Sequence, residues 1–254
     1  MRPNREALNA IPAFGVWALW LGVVLLVIVG LGAAVGRGLF RGDFATRADP
    51  IRQQVLTALN RQDPFLSERS AELDRFDGRF AANPIATLLH ILPGGILLIL
   101  TPLQFSLRIR NRHLRFHRWS GRILVLSGLV SALAGLYFGV LMPYGGLGEV
   151  TAIAFFGCLF VVSLVRGFLA IRRHQLASHR EWMIRAFAIA LGIGTVRLVS
   201  GALDIALTPE GLQPTSLFAL SLWTGWAVTL GAGELWIRYT RAQAGPLAVS
   251  ASAV

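Results

Sequence analysis

The sequence contains no lysine; all 24 basic residues are arginine. A uniform replacement of that kind points to coding bias rather than to a binding role. Charge of either sign is scarce, at 15% against about 25% in soluble domains. Acids are scarcer than bases, and 13 Asp and Glu leave a formal charge of +11. A single cysteine, Cys158, lies inside an apolar run. It excludes an intrachain disulfide and any cysteine-based metal cluster. Also missing are a glycine-rich nucleotide fingerprint, a His-Glu-x-x-His zinc motif and a Gly-x-Ser-x-Gly elbow. Hydrolase and nucleotide-dependent chemistry are therefore unsupported. No repeat is long enough to suggest a solenoid.

The chain is instead rich in apolar residues, at 54%, with a mean hydropathy of +0.59. A basic balance of this size could suggest nucleic acid. The arginines, however, cluster at the ends of long apolar runs, which is how membrane proteins set their orientation. That placement excludes nucleic acid as the partner and makes the lipid bilayer, with its anionic headgroups, the expected one. The runs predict an all-α, polytopic bundle of one domain, with six spans over about 11–35, 84–107, 119–142, 149–171, 182–207 and 217–237. The first run is longer than a signal-peptide core of about 7–15 residues, so it is expected to be retained. The segment Arg108–Arg122 carries six arginines and no acid. Together with Arg172, Arg173 and Arg180, it predicts that both hairpins and both termini face the cytoplasm of a bacterial inner membrane.

The one long polar segment, 36–83, balances eight arginines against seven acids and is expected on the outer side. Within it, Asp49-Pro50 reads as a helix start, followed by Ile51, Val55 and Leu59 at helical spacing. A further helical turn is expected over Ser67 to Phe76. The second span holds His90, Pro93-Gly94-Gly95, Pro102 and Gln104. Two prolines and a glycine pair predict a break or kink there. The third span carries Gly128, Ser131, Gly135 and Gly139 on one face, which predicts close helix packing.

Two hairpin motifs echo each other: His117-Arg-Trp-Ser-Gly-Arg122 and His179-Arg-Glu-Trp-Met-Ile-Arg185. Together with Leu-Leu-His90-Ile-Leu-Pro-Gly-Gly and Pro102-Leu-Gln104-Phe, they resemble a family of bacterial integral membrane proteins of unknown function. The likeness covers about Arg79 to Arg197; the first and sixth spans add little to it. It implies a membrane bundle, and it directs attention to His90, Gln104, His117, Arg118, Arg122, His179, Arg180, Trp182 and Arg185.

Three functional readings are open. In the first, b-type haem has His117 and His179 as iron ligands at one depth, with Arg118, Arg122, Arg180 and Arg185 available to its propionates. That is the logic of cytochrome b561-like bundles, although those set their histidines deeper in their spans. Interfacial anchoring by His, Arg and Trp is the plainer account of the same residues. In the second reading, the arginine-bearing helix starts bind anionic headgroups or a small anionic solute. In the third, His90, Arg197 and Asp204 gather inside the bundle as a transport or proton path. A mid-span arginine costs about 2.5–3.5 kcal/mol on insertion scales, so Arg197 requires a reason to be there.

Overall fold

A backbone surrounded by hydrocarbon must satisfy its own hydrogen bonds, and a helix does so within one segment. The computed structural model, which describes residues 21–32, 53–62, 64, 65 and 68–250, is accordingly all-helical, with no strand among the described residues. Helix α1 is Leu21–Gly32, and α2 covers 53–58. There follow α3 (Arg69–Ala81), α4 (Pro84–Phe105), α5 (Leu107–Arg112) and α6 (Leu114–Leu136). A π-helical turn, Tyr137–Leu141, extends α6; then come α7 (Gly146–Arg172), α8 (Leu176–Leu207) and α9 (Pro214–Ser250).

Five of these helices, α4 and α6 to α9, are long and apolar enough to cross a membrane. Their most apolar windows are only 17–39% buried in the protein. Leu88, Leu126, Leu133 and Leu235 are 60–67% exposed. In water each such side chain would forgo roughly 1.5–3 kcal/mol of burial, whereas lipid removes that penalty. The described part of α1 has 12 residues, about 18 Å of helix against a hydrocarbon core of roughly 30 Å. The rest of the predicted first span lies outside the described residues.

Helix α8 lies at the centre. One core joins Leu97 of α4, Leu124 of α6, Phe156 and Leu164 of α7, and Phe187 of α8. A second joins Val27 of α1 to Leu98 and Leu191. Small residues set the spacing, as packing in lipid requires. A Cβ on Gly194 would lie 2.5 Å from the Leu26 carbonyl oxygen. The face predicted on the third span is used this way: Gly128 admits Leu164 and Phe160, Gly135 admits the His90 ring, and Gly139 admits Ile153.

Two sequence expectations are corrected. First, α6 and α8 begin at Leu114 and Leu176, ahead of the expected starts at Trp119 and Trp182. Hydropathy marks where side chains turn apolar, and arginine-rich sequence is good helix former that carries the helix past that point. Second, α4 runs without a break through Pro93 and Pro102. Each proline removes a donor from the carbonyl four residues earlier, Leu89 or Leu98. The helix expected after Asp49-Pro50 is seen in part as α2, where Leu56 is 1% exposed and Val55 is 37% exposed; Ile51 lies outside the described residues.

The turn expected over 67–76 is the longer helix α3. Its Phe76 meets Tyr144 and Phe218 edge-on at 5.1 and 5.4 Å, and its Phe80 meets Phe138 at 4.8 Å. These rings seat α3 across one end of the bundle, here called the loop end. The opposite end, a 22-residue α4 away or about 33 Å, carries α5 and the α7–α8 turn. That turn closes on His174 at φ 58°, and Gln175 N–H donates to the Ala170 carbonyl at 2.9 Å.

Candidate functional site

At the hairpin end, Ser106 caps α5 by accepting the Ile109 N–H at 3.4 Å. The chain turns at His113 and enters α6, so that His117 is its fourth residue. His179 is likewise the fourth residue of α8. Both histidines therefore sit in helical first turns rather than ahead of the helices. Among the described residues, His117 lies within electrostatic reach of Arg110, His179 and Arg118.

The two rings are held differently. His179 Nδ1 is 2.8 Å from the Gly167 carbonyl. A carbonyl only accepts, so Nδ1 carries the proton and the neutral ring has its lone pair on Nε2. Gly167 also lets Met183 pack close, since a Cβ there would meet Met183 Sδ at 2.8 Å. His117 Nδ1, in contrast, is buried with no protein partner among the described residues.

The surrounding cations fall into two groups. Arg185 is committed: its Nε and Nη2 donate to the two Glu234 oxygens at 2.5 and 3.1 Å, with its guanidinium 4.8 Å over Trp182. Arg166 lies 5.2 Å from the same ring, and Arg122 stacks 4.9 Å over Trp119. Arg241 forms a two-point pair with Glu181. The second group has no carboxylate bonded to it among the described residues. Arg180 donates to Thr240 Oγ1 at 2.7 Å, Arg118 is exposed, and Arg110 lies within reach of both His117 and Arg180. Desolvation lowers the pKa of Arg110 from its ordinary value.

Between the two ends, the polar residues join helices. Gln104 Nε2 donates to Ser120 Oγ at 2.7 Å, and Ser120 Oγ donates to the Phe116 carbonyl. His90 Nδ1–H donates to the Ser131 carbonyl at 2.9 Å, and Ser131 Oγ donates back to the His90 carbonyl at 2.8 Å. The bare Gly94 lets Ser131 approach. His90 and Gln104 thus both fasten α4 to α6.

The proposed trio of His90, Arg197 and Asp204 is not joined by these contacts. Arg197 lies in the field of Arg79 and Asp77 from α3, nearer the loop end than the middle of α8, and its Nε is buried without a partner among the described residues. Asp204 accepts from Thr208 Oγ1 at 2.8 Å, one turn along.

At the loop end the structure reveals an ion pair that sequence reasoning missed. Glu149, 1% exposed, accepts Arg79 Nη1 at 2.9 Å and the backbone N–H groups of Tyr144 and Gly145, both at 2.6 Å. Arg79 Nη1 also donates to the Met142 carbonyl at 3.0 Å. The available signal was an acid in the first turn of an apolar span, directly after a Tyr-Gly-Gly turn. Such an acid needs donors, and helix-start N–H groups supply them.

Residues 87–237 match the model of a family described as a predicted membrane protein, DUF2306. The match extends past the likeness read from the motifs and takes in α9, so the sixth predicted span is part of it. No curated protein and no solved structure matches the chain.

Proposed function

The chain belongs to the DUF2306 family of predicted membrane proteins, a multi-pass bundle, and from that premise we propose that it is a membrane electron-transfer component holding b-type haem between His117 and His179. What supports this reading is that each imidazole belongs to the fourth residue of its helix and that His179 lies within electrostatic reach of His117. The chain's own residues fit the group in three respects. His179 is oriented through Nδ1 by a backbone carbonyl, which is how ligating histidines are commonly fixed. His117 has a buried ring nitrogen that no protein group uses. Arg110, Arg118 and Arg180 lack bonded carboxylates among the described residues and are free to take propionates. Arg185 and Arg122 drop out of that role, held by Glu234 and Trp119. When bound, haem supplies one-electron transfer. The helices contribute ligand spacing, and the arginines fix orientation.

Purified protein is expected to show b-type bands in a reduced-minus-oxidised spectrum. His179→Ala is expected to abolish them while the protein stays folded in detergent. Colourless preparations after expression with added haem precursor would defeat the proposal.

A second reading rests on the same uncommitted cations. Arg110, Arg118 and Arg180 at two helix starts suit a phosphate-bearing lipid headgroup or solute. It predicts selective loss of one anionic lipid class in Arg118→Ala and Arg180→Ala, with no change in the spectrum.

The orientation that goes with both readings has six spans in the inner membrane and both termini and both hairpins in the cytoplasm. The arginine excess at the hairpin end supports it. Arg115→Cys in a Cys158→Ser background should react with an impermeant maleimide only after cells are opened. Labelling of intact cells would reverse the map.

A further inference from the structure

At the opposite end of the molecule, we infer that Arg79 forms the floor of a second site, one that binds a small oxyanion, a carboxylate or a phosphate. A cavity of about 270 Å³ opens there, lined by Arg75, Arg79, Met142, Pro143 and Tyr144. That is near the lower limit of known ligand pockets, so the ligand is small.

The argument rests on which edge of each guanidinium is in use. Arginine meets a carboxylate best through the fork of Nε–H and Nη2. Arg185 and Arg241 both use that fork, on Glu234 and Glu181. Arg79 does not. Among the described residues its Nη1 is engaged by Glu149 and by the Met142 carbonyl. Its faces are taken by Phe76 and Phe80, at 4.4 and 5.0 Å. Its Nε–H is buried without a partner among the described residues, and its side chain is 10% exposed. A buried N–H with no acceptor is costly. An arginine that lines a cavity while its Nε–H goes unsatisfied is therefore suited to receive an oxyanion.

Two guanidinium groups, Arg75 and Arg79, line the cavity, and Arg197 lies within electrostatic reach of Arg79. Met142, Pro143 and the Tyr144 ring offer an apolar wall for the body of the ligand.

The test uses the full chain in phosphatidylcholine nanodiscs and calorimetric titration with benzoate, with inorganic phosphate and with benzamide. The expected result is saturable binding of benzoate or phosphate and none of neutral benzamide. Arg79→Lys keeps a cation against Glu149 and loses the fork, so binding should weaken at least tenfold with little change in Tm. If that variant does not fold, Arg75→Gln at the exposed rim serves instead, with a smaller loss in the same direction. Phosphatidylglycerol in the disc that competes benzoate away would identify a lipid headgroup as the source of the oxyanion. Absence of competition would identify a free solute. No saturable binding of either anion, equal binding of benzamide, or undiminished binding by a folded variant would each overturn the inference.

Discussion

Glu149→Ala is expected to destabilise the protein by about 3–5 kcal/mol, the range seen when one partner of a buried ion pair is removed. The cost comes from what is left behind. Arg79 would remain largely buried with the Glu149 carboxylate gone, and the N–H groups of Tyr144 and Gly145 would lose their common acceptor. Each buried donor so stranded costs about 1–3 kcal/mol. The carboxylate also fixes the turn between α6 and α7 and holds α3 across the loop end, so three elements depend on one side chain. Glu149→Gln should cost less than Glu149→Ala, because an amide oxygen still accepts one or two of the three bonds. The double replacement Arg79→Leu with Glu149→Leu should recover part of the loss, since neither charge is then stranded. Thermal unfolding in one detergent, scored across the four proteins, checks the order. A Glu149→Ala protein within about 1 kcal/mol of the parent would mean that the pair does not hold this end together.

The same ion pair shows what was legible in the chain and what was not. Hydropathy alone located the apolar runs that became α4 and α6 to α9, because lipid selects on side-chain polarity, and that is written residue by residue. The stripe of Gly128, Gly135 and Gly139 announced close packing, since nothing but small residues permits it. The starts of α6 and α8 were not visible, because an arginine helix and an arginine loop have the same polarity. Partners were the least legible. Arg79 and Glu149 are 70 positions apart, and within a near-neutral loop Arg79 looked like any of its neighbours. His117 and His179 were considered together because both lay beside matching motifs, and His179 lies within electrostatic reach of His117. His90 of α4 was grouped with Arg197 and Asp204 of α8 on depth along each helix, and depth says nothing about which neighbour a helix face meets. In the fold His90 meets Ser131 of α6, and Arg197 meets the field of α3.

Gly225→Ala and Gly231→Ala make the same chemical change in one helix and are expected to differ in sign. A Cβ on Gly225 would lie 2.7 Å from both the N and the Cα of Val196. Backbone atoms cannot turn aside as a side-chain tip can, so α9 must move away from α8. Overpacking of this kind costs typically 1–3 kcal/mol, and the absence of a rotameric escape puts Gly225→Ala at about 3 kcal/mol. A Cβ on Gly231 meets nothing within 4 Å. There the helix preference of alanine acts alone and should stabilise by up to about 1 kcal/mol. Unfolding of the two variants in the same detergent decides between this view and one in which glycines in α9 are interchangeable. The consequence reaches the hairpin end, because the same helix pair carries Arg180 to Thr240, Glu181 to Arg241 and Arg185 to Glu234. A shift of α9 at Gly225 would disturb the arginines around His179 without touching either imidazole. Gly225→Ala should therefore weaken the haem binding proposed for His117 and His179, whereas Gly231→Ala should leave it unchanged.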